Sequence, residues 1–200
     1  MPFFPYGQKE IEYLTRRCPK MGALIEHIGH LQRPVQPDPF QALLSSVLSQ
    51  QISSKGAATV CSRFQALAGD MTPERVAALP VQDIQGCGTS MRKAEYIKGI
   101  AEAALNGVID FAALADMSDG DVVRRLSALR GVGVWTAEML LIFSLCRPDV
   151  VSWLDLGIRK GMMALYGKKT LSPRQFAVYR KRYSPFGSVA SLYLWALAGQ

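Results

Sequence analysis

The sequence has few cysteines, and they do not occur in the pairs that metal sites require. The four cysteines are scattered along the chain at Cys18, Cys61, Cys87 and Cys146. Structural zinc sites and cysteine-ligated iron–sulfur clusters need clustered thiolates, so the sequence predicts neither group. A disulfide framework is also unexpected, because a chain of 200 residues is long enough to bury a sizeable core.

Long hydrophobic runs are missing as well. The longest apolar stretch, residues 139–143, is far too short to cross a bilayer. Residues 1–10 lack the basic region followed by an apolar run that is typical of a signal peptide. We therefore expect a cytoplasmic protein with reduced thiols and no membrane partner.

Acidic residues are outnumbered by basic ones. The chain has 23 Lys and Arg against 16 Asp and Glu, a formal net charge of +7. Each Lys or Arg placed on a phosphate releases a condensed counterion, so this excess favours a polyanionic partner such as nucleic acid. It argues against an acidic surface that attracts cations.

Strand-like alternation is scarce, whereas helical periodicity runs along almost the whole chain. One apolar stripe predicts an amphipathic helix that begins after Asp38 and buries Phe40, Leu43, Leu44, Val47 and Leu48. Further helices are predicted at about residues 10–32, 54–67, 73–79, 92–106, 121–129, 134–145, 157–166, 173–181 and 187–198. The sequence therefore predicts an all-α fold, with the proline-rich segment 33–39 as a boundary between lobes.

A Gly-x-Gly turn, Gly131-Val132-Gly133, joins two of these predicted helices. The two glycines allow a tight reversal of the chain. The N–H groups of Gly133 and the next residues then point outward from the start of a helix, where the helix dipole favours a phosphate. The alternative is an ordinary glycine helix stop, which is a common feature.

An acidic residue, Asp155, lies between Leu154 and Leu156 at the predicted start of another helix. If that face of the helix is buried, the carboxylate is partly desolvated and suited to chemistry. The alternative is a structural role as a helix N-cap, for which Asp is a preferred residue.

Taken together, these elements resemble the helix-hairpin-helix DNA glycosylase superfamily, and more narrowly its 3-methyladenine DNA glycosylase II branch. The resemblance runs from about residue 40 to the C-terminus and rests on five segments in family order, residues 49–53, 88–97, 129–137, 155–161 and 192–195. It implies two helical lobes with a cleft between them, a helix-hairpin-helix at about residues 121–145, and no N-terminal β-domain. We expect residues 37–147 to form one six-helix lobe, and residues 1–36 with 148–200 to form the other.

The resemblance also implies a reaction, the hydrolytic release of alkylated purines by a monofunctional DNA glycosylase in base excision repair. Asp155 occupies the position of the family's catalytic acid. Many members of the branch carry a second acid just before it, where this chain has Ser152-Trp153-Leu154. A single carboxylate suffices for a cationic base such as 3-methyladenine or 7-methylguanine, because the glycosidic bond is already weakened.

Base flipping requires a pocket for the base and a plug for the gap that it leaves. By family position the plug is Gln51, with Gln50 beside it, although a polar helix terminus is an equal interpretation of these two residues. Cation–π attraction suggests a pocket lined by aromatic side chains, although large aromatics are often part of the core. The candidates are Trp135, Trp195 and Trp153.

The expected partner is double-stranded DNA containing damaged bases, bound by a monomer at the nucleoid. The candidate contacts to the DNA backbone are Gly131, Gly133, Val134, Thr136, Arg92, Lys93, Arg159 and Lys160. The family geometry further implies a monovalent cation, Na⁺ or K⁺, held by the backbone carbonyls of Ser127, Leu129 and Val132. No other cofactor is expected, and His27 and His30 have no third ligand nearby.

Two other functions remain open at this point. A bifunctional glycosylase/lyase needs an amine to form a Schiff base. In such relatives a lysine lies two residues after the second glycine of the hairpin, and here that residue is Trp135. A catalytically inert DNA-binding protein of the same fold would need neither Asp155 nor an aromatic pocket.

Overall fold

The structure is a computed structural model that describes residues 2–199. Among these residues it has twelve α-helices and one 3-10 helix, at Ala112–Asp116. The α-helices are α1 (Gln8–Arg17), α2 (Pro19–Ile28), α3 (Pro39–Ser49), α4 (Ser54–Ala68), α5 (Pro73–Ala78), α6 (Val81–Gly86), α7 (Met91–Leu105), α8 (Asp119–Ser127), α9 (Val134–Phe143), α10 (Leu156–Tyr166), α11 (Pro173–Tyr183) and α12 (Gly187–Ala198). The described residues form no β-strand, and one isolated bridge pairs Phe3 with Pro34. The prediction of an all-α fold is confirmed.

The predicted helix at residues 10–32 is wrong, because this segment forms two helices, α1 and α2. The break lies at Cys18, whose φ of −144° and ψ of 92° are extended. Pro19 causes it, since its ring disfavours helical torsions in the preceding residue and it has no N–H to continue the ladder. Pro19 is instead tolerated as the first residue of α2.

Two short elements were absent from the predicted helices. Helix α6 has six residues and the 3-10 helix has five. The 3-10 helix is too short to show a repeat of 3.6 residues, and α6 lacks the side-chain N-cap that marks the start of the equally short α5. The sequence pattern therefore predicts no helix at either place.

Residues 36–140 form one compact unit. Its core includes the predicted stripe of α3, whose members Phe40, Leu43, Leu44, Val47 and Leu48 are all buried. Helix α3 packs against α4 and α7, and α7 packs against α5 and α6. This unit contains the whole of α8, the turn after it, and most of α9.

Residues 1–35 and 141–200 form the second compact unit. Here α10 packs along α12, which is buried continuously from Gly187 to Leu194. The unit begins at Leu141, within α9, rather than at residue 148 as expected. The last turn of α9 and the residues after it belong here because the Phe143 ring packs against that of Trp195, and the Arg147 carbonyl accepts a hydrogen bond from Ser188 Oγ.

Residues 2–199 contain no helix that is both long and apolar enough to span a membrane. Over the same residues, no group of three or more His, Cys, Asp and Glu side chains is arranged to bind a metal ion.

Candidate active site

The central feature of the unit formed by residues 1–35 and 141–200 is Asp155, a buried carboxylate at the start of α10. Its side chain is 6% exposed. Oδ1 accepts one hydrogen bond from the backbone N–H of Ile158, at 2.8 Å, and another from Nε1 of Trp195, at 2.9 Å. Asp155 is therefore the N-cap of α10 and also a desolvated acid. Two N–H donors and the positive end of the helix dipole point at the carboxylate.

The indole of Trp195 reaches Asp155 because α10 carries glycine where the two helices meet. A Cβ atom on Gly157 would lie 2.7 Å from Cδ1 of Trp195. One turn later, a Cβ atom on Gly161 would lie 2.0 Å from the carbonyl oxygen of Leu194. Any side chain at these positions would force α12 away from α10. Neither glycine was predicted as a site residue, and the spacing of four residues within one helix was the available signal.

Trp195 also belongs to an aromatic group beside the carboxylate. Its ring lies 5.4 Å from that of Phe143, and the guanidinium of Arg33 lies 5.9 Å from the Phe143 ring centre. A small cavity of about 190 Å³ adjoins Trp195 and is lined by Leu31, Gln32, Arg33, Leu192 and Ala196. Phe143 and Arg33 were not predicted, because nothing local in the sequence links them to residue 195.

Trp153, although only two residues before Asp155, is engaged in other contacts. Its ring packs edge to face on Phe176, with ring centres 5.2 Å apart. The guanidinium carbon of Arg159 lies 5.0 Å from the centre of the Trp153 ring. In this arrangement Arg159 covers the ring of Trp153, so both predicted site residues are occupied with each other.

The second feature, in the unit of residues 36–140, is the turn between α8 and α9. Gly131 has a φ of +85°, and a Cβ atom there would lie 2.2 Å from the Tyr96 ring. Only glycine meets both requirements. Gly133 and Val134 are exposed where α9 begins, and the first N–H groups of an α-helix have no partner within the helix.

The loop that follows α3 is tied to this turn by Gln50. Its Nε2 donates to the Gly131 carbonyl at 3.1 Å and to Thr136 Oγ1 at 3.4 Å. Lys93 Nζ donates to the carbonyls of Leu48, at 3.0 Å, and of Gln50. Partial burial lowers the pKa of Lys93. The side chains of Gln50, Lys93 and Thr136 therefore hold this loop in place through hydrogen bonds. The sequence predicted Gln50 as a plug and Lys93 and Thr136 as contacts to the DNA backbone, and it did not predict this structural role.

Gln51 differs sharply from its neighbour. It is exposed, and its φ of +58° places a non-glycine residue in the left-handed region. Such strain is typical of positions with a functional role. Of the two predicted plug residues, Gln51 is the one that the loop presents to solvent.

The remaining predicted residues lie on the surface of their units. Arg92 and Lys160 are exposed, and Trp135 is 38% exposed near the start of α9. The segment with the predicted cation ligands, Ser127, Leu129 and Val132, runs from the last residue of α8 into the turn. There the Val132 N–H donates to the Leu129 carbonyl at 3.2 Å.

Comparison with known families assigns the glycine turn and the buried Asp155 to one of them. The model of the HhH-GPD superfamily base excision DNA repair protein matches residues 44–185, which is more than half of the chain. The chain belongs to the HhH-GPD superfamily. The match includes the hairpin and Asp155, but it ends before Trp195.

Individual HhH-GPD proteins resemble the chain over most of its length. It is 35% identical over 163 residues to DNA-3-methyladenine glycosylase 1 of Schizosaccharomyces pombe, covering 79% of this chain and 72% of that protein. The crystal structure of a DNA-3-methyladenine glycosidase from Bacillus halodurans superposes with a TM-score of 0.87 at 35% identity, covering 100% of this chain and 94% of that one. The S. pombe 3-methyladenine DNA glycosylase bound to abasic DNA gives 0.84 at 31% identity, covering 94% and 95%.

Proposed function

We propose that this HhH-GPD protein is a monofunctional DNA glycosylase that releases alkylated purines, such as 3-methyladenine and 7-methylguanine, in base excision repair. The observation that carries the proposal is the buried Asp155 carboxylate, held by N–H groups of Ile158 and Trp195. The names of relatives with 31 to 35% identity, all 3-methyladenine glycosylases, support the choice of base.

The chemistry follows from the charge on the base. An alkylated purine is already cationic, so it leaves without strong protonation, and the sugar left behind develops positive charge. An ionised Asp155 stabilises that charge and directs a water molecule to the sugar. Its two N–H donors keep the carboxylate oriented, so little reorganisation is needed when the bond breaks.

Aromatic side chains are suited to a cationic base. The Trp195 ring is held beside Asp155, and Trp135 is partly exposed on α9. A cation over an indole gains about 0.5 to 2 kcal/mol, which favours damaged purines over neutral ones. Gln51, exposed on its loop, is the proposed plug for the gap left in the duplex.

The hairpin is the proposed seat for a DNA phosphate, with Arg92 and Lys160 as further backbone contacts. A monovalent cation, held by the carbonyls of Ser127, Leu129 and Val132, is proposed to bridge the turn and the phosphate. Ser127 Oγ is buried without a hydrogen-bond partner at this point, which fits an additional ligand there. We also propose that the enzyme acts as a monomer, in the cytoplasm at the nucleoid.

The lack of lyase activity is the first expected result. At the position of the lyase amine this chain has Trp135, so we expect no strand cleavage after base release. Borohydride should trap no covalent adduct with DNA. Lys160 is the amine to test, and an adduct that disappears in Lys160→Ala would move the protein to the bifunctional class.

A second expected result concerns the packing of Trp195. In Gly157→Ala, the new methyl group displaces the indole and breaks its hydrogen bond to Asp155. Since a hydrogen bond to a charged group contributes about 1.5 to 3 kcal/mol, base release should slow by roughly 10- to 100-fold. The rate is measured in single-turnover reactions. An unchanged rate would show that Trp195 does not orient the carboxylate.

The proposal itself is tested with a panel of duplexes that each contain one lesion. Each duplex is incubated with the protein, and abasic sites are then cleaved with hot alkali. Release of 3-methyladenine or 7-methylguanine, without release of undamaged purines, is the expected result. Tight binding to every duplex with no release would instead identify a non-catalytic DNA-binding protein.

A further inference from the structure

The two units differ sharply in charge. Residues 1–35 with 141–200 contain 14 Lys and Arg and 5 Asp and Glu, so their net charge is 14 − 5 = +9. Residues 36–140 contain 9 and 11, so their net charge is 9 − 11 = −2. The unit with the hairpin is therefore not the source of the positive charge. After Asp155 the chain has eight basic residues and no acidic one.

Two of these basic residues lie against a stacked pair of tyrosines. The rings of Tyr166 and Tyr179 are 3.7 Å apart and nearly parallel. The guanidinium of Arg182 lies 5.5 Å and 5.3 Å from their centres, and the ammonium of Lys20 lies 5.8 Å from the Tyr166 ring. Two cations from different helices are thus held against one aromatic platform.

Helix α11 separates its structural residues from its exposed charges. Phe176 and Tyr183 are buried, and Arg180 is held by the Asp149 carbonyl at 3.1 Å. Arg174, Lys181 and Arg182 are exposed, and so are Lys168 and Lys169, which follow α10. We call the exposed set the tyrosine-backed basic surface: Lys20, Lys168, Lys169, Arg174, Lys181 and Arg182. Within residues 2–199 none of its members forms an ion pair.

We propose that the tyrosine-backed basic surface binds the phosphate backbone of undamaged duplex DNA, as a contact additional to the hairpin. The inference rests on the proposed function in taking DNA as the partner. Cations without acidic partners repel one another and gain most from a polyanion. The two tyrosines stack on each other and the members of the surface are all cations, so the surface matches the phosphates of a duplex better than the unpaired bases of a single strand.

The surface connects to the catalytic residue through packed side chains. Phe176 of α11 contacts Trp153, which lies beneath Arg159, one turn into the helix that Asp155 caps. Duplex held on α11 is therefore held by the same unit that carries the acid. Such sequence-independent contacts lengthen the time that an enzyme spends on DNA between lesions.

The test removes three exposed lysines in the variant Lys168→Gln/Lys169→Gln/Lys181→Gln. The control, Lys9→Gln/Arg63→Gln/Arg75→Gln, removes the same charge from exposed positions elsewhere. Affinity for an undamaged duplex of about 30 base pairs is measured by fluorescence anisotropy over a range of NaCl concentrations. Since each phosphate contact contributes about 0.9 to the slope of log K against log salt, the slope should fall by about 2 to 3 in the first variant and stay unchanged in the control.

A second measurement uses the unaltered protein. Duplex should protect Lys168, Lys169 and Lys181 from acetylation, as detected by mass spectrometry, and leave Lys9 reactive. Equal slopes for the two variants, or no protection, would overturn the proposal. If the first variant lost binding to phosphatidylserine vesicles while its slope for DNA stayed unchanged, the proposal would also be overturned, and a lipid surface would be the partner instead.

A measurement of base release distinguishes failure of the proposed DNA-binding surface from failure of the proposed glycosylase function. At saturating enzyme, the first variant should release 7-methylguanine from a lesion duplex at the rate of the unaltered protein. If the unaltered protein releases no base but the slope falls as expected, the surface is supported and the glycosylase proposal fails. If base release is normal but the slope does not change, the glycosylase proposal is supported and the proposal of a basic surface fails.

Discussion

Replacing Asp155 with asparagine is expected to abolish base release while leaving binding to duplex DNA intact. The amide oxygen can still accept the hydrogen bonds from Ile158 and Trp195, so the geometry of the site is preserved. What is lost is the negative charge that stabilises the cationic sugar. Removal of one such electrostatic group costs about 100- to 1000-fold in rate, and that is the minimum loss expected in single-turnover reactions.

The stability of this variant provides its control. Asparagine and aspartate are equally good N-caps, so the free energy of unfolding should change by less than about 0.5 kcal/mol. Asp155→Ala should instead lose about 1 to 3 kcal/mol, because the cap is lost and the indole N–H of Trp195 is left without an acceptor. Base release by Asp155→Asn at the normal rate would show that another residue is the catalytic acid.

Gly161→Ala is expected to cause the largest loss of stability among single methyl additions in the helices. The new Cβ atom would lie 2.0 Å from the carbonyl oxygen of Leu194 and 2.7 Å from its carbonyl carbon. Both are backbone atoms, so no change of rotamer relieves the overlap, and α10 must separate from α12. We expect the free energy of unfolding to fall by about 3 kcal/mol or more, measured from the midpoint of urea denaturation.

The same substitution at Gly99 is the matched control. Gly99 is also within a helix, α7, but a Cβ atom there has no neighbour within 4 Å. Alanine is the better helix former, so Gly99→Ala should raise stability by about 0.5 to 1 kcal/mol. If both variants shifted the midpoint in the same direction, the close contact between α10 and α12 would be wrong.

The residues that the sequence identifies correctly are those whose structure depends on near neighbours. The buried stripe of α3 shows in a repeat of 3.6 residues, and Asp38 and Asp155 cap helices through N–H groups three residues away. The turn at Gly131 requires a glycine for its own torsion angle. Such features depend on one or two turns of chain, so a linear pattern contains them. The error at residues 10–32 has a different cause, because Pro19 was a local signal that the helical periodicity outweighed.

The roles of individual site residues depended on contacts far apart in the chain. Trp195 and Asp155 are 40 residues apart, and Gln50 and the Gly131 carbonyl are 81 apart. Whether Gln50 or Gln51 faces solvent, and whether Lys93 braces a loop, follows from which carbonyls the fold places within reach. These hydrogen bonds form because packing brings the helices together, and glycines at 157 and 161 decide how closely α10 and α12 approach. The sequence alone thus determined the helical class, the glycine turn and the position of Asp155 at the start of a helix, whereas only the tertiary structure decided which groups hold its carboxylate in place.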